Sequence, residues 1–336
     1  MTDQNQVVEA LMKLDAYEED PGVIELIQTH ISFIFLTRNF VYKVKKAVDF
    51  GFLDFSTLEK RHFFCEKELK LNKRLCGPMY LEVVPINKAT TIKIKGDGET
   101  VEYAVKMKRM PQEKIMSKLL EEKKVDNDII ERIARIIAKF HIEAETNHRI
   151  SEFGALGMID TNWKENFEQT KGFIGKTIST EDFKLIHSKV EDFMQKNAAL
   201  FKKRMLESRV KNCHGDIHSG NIFVTDEIYI FDAIEFNERF RYSDIASDVA
   251  FLAMDLDFKK RTDLSNFFIK KYIQFSGDRE LMKLLRFYKC YRAYVRGKVT
   301  SFKLDDPNIS SREKNATMNE AKAYFKLAST YTRMFN

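Results

Sequence analysis

Val7, Leu11 and Leu14 recur at helical spacing, which predicts a first amphipathic helix; Asp20-Pro21-Gly22 then breaks the pattern ahead of a second short helix. From Ile31 the period changes. Ile31 to Leu36 and Phe40 to Lys45 read as two strands around the tight turn Thr37-Arg38-Asn39, and the period of two puts Val41, Lys43 and Lys45 on one face. Ser56-Thr57-Leu58-Glu59 carries a capping-box pattern and opens a helix that runs to Leu75, with Gly77-Pro78 ending it. Strands are predicted from Tyr80 to Ile86, Thr91 to Lys95 and Thr100 to Met107, the last two joined at Gly96-Asp97-Gly98.

After Pro111 the pattern is predominantly helical: Asp126 to Glu145, Thr180 to Ser208, Arg279 to Phe302 and Ser310 to Phe335. One β-like island, Cys213 to Phe236, interrupts it. The pattern therefore predicts an α+β protein. A helical extension (1–29) precedes an antiparallel sheet with one conspicuous helix (30–110), and a larger helical part (111–336) follows with the island at 213–236 inside it. No internal repeat or low-complexity linker separates these parts, so they are expected to be packed lobes.

Composition narrows the class. A chain of 336 residues with 44% hydrophobic residues buries a sizeable core. The formal charge of +6, from 56 Lys and Arg against 50 Asp and Glu, is spread without a basic block, so nothing asks for nucleic acid. Cys65, Cys76, Cys213 and Cys290 are scattered without zinc-ligand spacing and read as reduced thiols. No signal peptide or membrane-length apolar run is visible, and a cytoplasmic location is expected. Oligomeric state leaves no mark on the sequence.

The chemistry concentrates in the island. His214-Gly215-Asp216 is followed by Asn221 and then by two short apolar strands that end at Asp232, which brings two acids and an amide to one end of a hairpin. Phosphoryl transfer needs such a set: a carboxylate to orient or deprotonate the acceptor hydroxyl, and hard oxygen ligands for magnesium on the triphosphate. Asp216 fits the first role, and Asn221 with Asp232 the second.

HGDIHSGN followed by IFDAIEF resembles the aminoglycoside phosphotransferase and choline kinase superfamily, whose loop reads H-G-D-x-H-x-x-N, and Asp244 to Ala250 resembles its D-P-x-x-D-L-A. The segment KKAVDFGFLDFST, Lys45 to Thr57, is similar to a bacterial subgroup of phosphotransferase-like proteins, and the resemblance spans Ile31 to Lys303. It implies a two-lobed, protein-kinase-like fold that uses ATP and Mg²⁺. In it Asp216 is the catalytic base, Asn221 and Asp232 bind Mg²⁺, Asp248 braces the catalytic loop beside His214, and Asp244 gives local support. A strand lysine and a helix glutamate are expected with the nucleotide: Lys43 with Lys45 as fallback, and Glu68 in preference to Glu66. Backbone of Lys108 to Met110 falls at the inter-lobe hinge, where adenine is bound.

One feature departs from the family. No glycine-rich loop precedes Lys43, so phosphates are left to backbone amides of the Thr37-Arg38-Asn39 turn with Ser32 upstream. Asp49-Phe50-Gly51 precedes the catalytic loop and is a coincidence as a metal site, and Gly172 to Thr177 lacks two P-loop spacers. His218 is a further catalytic-loop candidate. Arg292 and Arg296, one turn apart, are candidates for an anionic or hydroxylated acceptor, against the plainer expectation of a core helix with snorkelling basic side chains. The expected activity is transfer of the ATP γ-phosphate to a small-molecule hydroxyl. Transfer to a protein hydroxyl and a nucleotide-binding pseudokinase are the alternatives.

Overall fold

A computed structural model describes residues 3–306 and 309–335. The chain divides into two compact units, one built from the spans 1–119 and 221–238 and the other from 120–220 and 239–336.

The first unit opens with α1 (Gln4–Leu11), capped by the Asp3 carboxylate, which accepts the Asn5 N–H at 3.1 Å. The short helix expected after Gly22 is instead a strand, β1 (Glu25–Gln28), which pairs antiparallel with β2 (Ser32–Leu36) from Glu25↔Leu36 to Gln28↔Phe33. Between the turn at Gly22 and that at Thr29 there is too little chain to nucleate a helix, whereas the edge of β2 satisfies the backbone at once. Next come β3 (Phe40–Lys45), α2 (Leu58–Cys76), β4 (Tyr80–Lys88), β5 (Ile92–Ile94) and β6 (Glu99–Lys108). The six strands form one antiparallel sheet in the order β1-β2-β3-β6-β4-β5.

Strand alternation sorts the two faces of that sheet. Tyr42 and Val44 point to Val7, Leu11 and Tyr17 of the N-terminal segment, together with Phe35, Val84 and Ala104. Val41 points the other way, to Cys65 and Cys76 of α2 and to Tyr80, Val105 and Phe223. Lys43 and Lys45 share the α2 side, so the same alternation that builds the core delivers two lysines to one helix. The cap of α2 is Thr57, whose hydroxyl accepts the Lys60 N–H, one residue beyond the Ser56 that the capping-box pattern suggests. Ser56 spends its hydroxyl on Asp54 Oδ1 at 2.6 Å.

After α3 (Met116–Glu121) the chain is helical: α4 (Asn127–Glu143), α5 (His148–Ser151), α6 (Leu156–Thr170), α7 (Thr180–Lys196) and α8 (Ala198–Leu206). The single helix expected from Thr180 to Ser208 is broken at Asn197, whose side-chain amide donates to the Phe193 carbonyl at 3.0 Å. β7 (Val210–Asn212) leads into the loop 213–220, and β8 (Ile222–Val224) and β9 (Ile228–Ile230) form a hairpin in the first unit. The chain then continues through α9 (Glu238–Arg241), β10 (Tyr242–Asp244), α10 (Ile245–Phe258), α11 (Thr262–Ser276), α12 (Met282–Phe302) and α13 (Ser311–Thr332). β10 pairs antiparallel with β7, and α10 is buried from Ile245 to Leu256. No helix among the described residues is long and apolar enough to cross a membrane.

The start of α10 is fixed by charge. Arg204 of α8 is 1% exposed and bonds Asp244 (Nη2 to Oδ1, 2.7 Å) and both oxygens of Asp278 at 3.0 and 2.8 Å. Asp244 is itself the cap of α10, accepting the Ala246 N–H at 2.8 Å. Arg204→Met is expected to leave two buried carboxylates uncompensated and to lower the unfolding free energy by about 3–5 kcal/mol in a denaturant titration.

Candidate active site

The first unit gathers an alternating set of charges. Lys43 Nζ donates to Glu68 Oε1 at 2.8 Å and to Asp232 Oδ1 at 2.7 Å, while Lys45 Nζ donates to Glu68 Oε2 at 2.7 Å and to Glu235. Glu68 thus has one oxygen on each lysine. The two lysines differ in access: the side chain of Lys45 is 1% exposed and that of Lys43 12%, beside Asp232 at 44%. Lys45 is sealed in, with the Phe55 ring 4.9 Å from its ammonium.

Burial alone would lower the Lys43 ammonium, but Asp232 and then Glu68 outweigh it and hold the group well above the ordinary lysine value. Burial would likewise raise Glu68, yet Lys43 and Lys45 pull its carboxyl down to about 2. Burial pushes Glu235 up even against the attraction of Lys45.

Asn221 and Asp232 lie at one end of the β8–β9 hairpin. Ile222 pairs with Ile230, and the Phe231 N–H donates to the Asn221 carbonyl at 3.0 Å. Asp232 has φ 65°, a left-handed conformation that is uncommon for a non-glycine residue. It is held there from α2: the Ala233 N–H donates to Asn72 Oδ1 at 2.9 Å, and Asn72 Nδ2 donates to the Glu68 carbonyl one turn earlier at 2.9 Å. An amide and a carboxylate of this kind are hard oxygen donors suited to a hard divalent cation.

In the second unit the loop 214–220 is tied down by groups from α10 and α12. The Asp248 carboxylate accepts the N–H of His214 at 2.8 Å and of Gly215 at 2.9 Å, and it faces His141 Nε2 at 3.3 Å. Two turns on, Asp255 accepts the Ser219 N–H at 2.8 Å. Arg292 closes the clamp from α12, donating to the Gly215 carbonyl at 2.8 Å and to that of Ser247 at 3.2 Å. Gly215 has φ 90°, which only glycine adopts readily. His141, Cys213 and Asp248 form a buried triplet of possible metal ligands, but both oxygens of Asp248 are already bonded to the loop.

Asp216, inside this clamp, has a 31% exposed side chain. His218 Nδ1 accepts the Gly220 N–H at 3.1 Å, which leaves Nε2 as the protonated nitrogen, facing Asp216 Oδ2 at 3.5 Å. Burial would raise the Asp216 carboxyl, but His218, Arg296 and His214 outweigh it and hold it at about 2. Asp216 is therefore ionised at neutral pH.

The remaining expected positions fall as follows. Ser32 begins β2 and is 1% exposed, with its hydroxyl unpartnered. The turn after β2 is closed by Thr37, whose hydroxyl accepts the Phe40 N–H at 3.3 Å. Lys108 and Arg109 already donate their N–H groups to the carbonyls of Met79 (2.9 Å) and Asn39 (2.8 Å), and Met110 is half-buried. Asp49 of the DFG triplet is exposed and accepts the Gly51 N–H in a local turn. Glu66 lies on the outer face of α2, 3.7 Å from His62. Sequence reasoning missed Glu235, Asn72, His141 and Asp255; only Glu235, three residues past Asp232, stood close enough to a motif to be flagged.

Residues 82–285 match the model of the phosphotransferase enzyme family. An uncharacterised protein of Mycobacterium tuberculosis and one of Mycobacterium bovis are each 32% identical over 281 residues, 83% of this chain and 55% of theirs. The chain thus spans about half the length of the curated relatives it matches. A choline/ethanolamine kinase family protein from Mesorhizobium loti superposes with TM-score 0.52 at 13% identity, covering 98% of this chain and 99% of its own. Amicoumacin kinase, solved with AMP-PNP, Ca²⁺ and Ami, gives 0.55 at 12% identity over 97% and 94%. These likenesses establish a protein-kinase-like fold.

The depressed Glu68 carboxyl carries a pH dependence. Its folded value of about 2 lies below the ordinary 4.5, so its contribution to stability is complete above pH 4.5 and is lost as pH falls towards 2. Chemical denaturation at pH 7 and pH 3 is expected to show wild type losing about 2–3 kcal/mol that Glu68→Gln does not lose.

Proposed function

This chain belongs to the phosphotransferase enzyme family, and from that premise we propose that it transfers the γ-phosphoryl group of ATP, with Mg²⁺, to a hydroxyl of a small molecule. One observation carries the reading. Lys43 is held by Glu68 on one side and Asp232 on the other, with the partly open side of that ion pair next to the hard oxygen donors of the hairpin. A lysine needed only for packing would be sealed as Lys45 is.

In this reading Lys43 pairs with nucleotide phosphates, and Glu68 keeps it extended and charged. Asn221 and Asp232 would hold Mg²⁺, which when bound supplies charge neutralisation on the triphosphate. Asn72 keeps Asp232 aimed by fixing the backbone that follows it. Asp216 accepts a hydrogen bond from the acceptor hydroxyl and orients its oxygen. As that oxygen bonds to γ-phosphorus, the bond from phosphorus to the bridging oxygen of ADP breaks and the hydroxyl proton passes to the carboxylate and then to water. A carboxyl held at about 2 is a weak base. Its main work is orientation, which suits a loose transition state in which the hydroxyl loses its proton late. His218 presents Nε2–H to one carboxylate oxygen and so leaves the other for the acceptor.

The test is ADP release by the full chain in the presence of Mg-ATP and a metabolite extract. Wild type is expected to turn over only with Mg²⁺, and Asp216→Ala is expected to lose about 10²-fold or more in kcat with nucleotide binding kept. Equal rates for the two proteins with every acceptor would overturn the proposal in favour of a regulatory nucleotide-binding module.

A further inference from the structure

The first unit sets one carboxylate more against its two site lysines than charge balance requires. Lys43 with Asp232 and Lys45 with Glu68 already make two one-to-one pairs, each at 2.7 Å. Glu235 adds a third negative charge, bonded to Lys45, with a side chain only 5% exposed. Burying a charge that balance does not ask for costs desolvation, so its place here calls for a role other than stability. The lysine that holds it is a fixed post. Lys45 is the β3 partner of Ser32, and its carbonyl accepts from Gln4 Nε2 of α1 at 2.9 Å, while Gln4 Oε1 accepts the Ala47 N–H at 2.8 Å. Gln4 Nε2 also donates to Glu102 Oε2 at 2.8 Å, and Glu102 is paired with Arg61 of α2 at 2.8 Å. The helices on the two faces of β3 are thereby locked around Lys45.

The segment 232–235 hangs on this post. Asp232, at φ 65°, keeps an uncommon backbone conformation that its surroundings have to impose. Lys43 holds its carboxylate, Asn72 holds the Ala233 N–H that follows, and Lys45 holds Glu235. A metal-bound nucleotide draws on the first of these bonds at both ends, because a carboxylate that coordinates Mg²⁺ and an ammonium that meets phosphate have less charge to give each other. The bond between Lys45 and Glu235 is sealed from that exchange. Lys45 keeps its hold on the second oxygen of Glu68 at the same time.

We propose that Glu235 is a positioning residue for the metal-bound nucleotide: its bond to Lys45 keeps the 232–235 segment, and with it the Asp232 carboxylate, in place when Lys43 turns its charge to phosphate. The inference rests on the phosphotransferase reading and deepens it. Glu235 and Lys45 touch neither nucleotide nor metal in this account. They act on the ligand Asp232 through the backbone, as the outer partners of metal ligands do, and therefore set how much Mg²⁺ the nucleotide needs in order to bind.

The experiment is calorimetric titration of AMP-PNP into the full chain over a series of Mg²⁺ concentrations, with chemical denaturation of each variant beside it. Glu235→Leu leaves two lysines facing two carboxylates, so it is expected to unfold at a denaturant concentration close to that of wild type. Its Mg²⁺ concentration for half-maximal AMP-PNP binding is expected to rise about tenfold. Glu235→Gln keeps an acceptor for Lys45 without the charge and is expected to lie between Glu235→Leu and wild type. Glu235→Asn, polar but one methylene shorter and out of reach of Lys45, takes the place of Glu235→Leu if that variant does not fold, with the same tenfold rise expected. A wild-type Mg²⁺ requirement in the folded Leu or Asn variant would overturn this proposal alone. So would a Glu235→Gln protein as impaired as either, because the charge of Glu235 and not its bond would then set the affinity. Wild-type binding of AMP-PNP that is absent or indifferent to Mg²⁺ would overturn the phosphotransferase reading along with it.

Discussion

The Glu68 carboxylate, fully buried between two lysines, is the constraint on which the first unit turns. A carboxylate taken out of water is tolerable only with its lone pairs engaged and its charge balanced, and here each oxygen has its own ammonium. Balance extends outwards, because two lysines on one carboxylate leave positive charge over, which Glu235 and Asp232 take up on either side. The hairpin residues are therefore coupled to α2 by charge and, through Asn72, by hydrogen bonds. Nothing in this arrangement is free to move alone.

The second unit solves a different problem by the same means. A loop that must present Asp216 cannot satisfy its own amides in a helix or sheet, so Asp248 and Asp255 on α10 accept three of its N–H groups while Arg292 takes a carbonyl. The two buried carboxylates Asp248 and Asp255 of α10 are satisfied by these loop amides, and the start of the helix is anchored by Arg204. Four residues of chain separate Asp216 in this unit from Asn221 in the other, so a single segment links the two sets of groups.

Much of this was legible in the sequence where the signal was local. The alternation in Phe40 to Lys45, the turn at Thr37-Arg38-Asn39 and the helix after Thr57 are short-range patterns, and the antiparallel sheet followed from them. Segment 25–28 was misread because its pairing partner, not its own composition, makes it a strand. The break at Asn197 was missed because a side-chain bond to Phe193 ends a helix whose apolar spacing carries on. At the site, the period of two put Lys43 and Lys45 on one face and could not separate them; only tertiary packing seals one and leaves the other partly open. Asn72, His141 and Asp255 act through contacts 36 to 161 residues along the chain, beyond what any motif records. Arg292, a candidate acceptor contact by sequence, is 5% exposed and bonded to the loop backbone.

The central claim is that Lys43, Glu68 and Asp232 form a site for a metal-bound nucleotide. Calorimetric titration of AMP-PNP into the wild-type protein and into Asp232→Asn, each with and without Mg²⁺, tests it most directly. The account predicts binding that depends on Mg²⁺ in the wild type and a loss of most of that dependence in the variant. Equal affinity in all four titrations, or no binding in any, would contradict it.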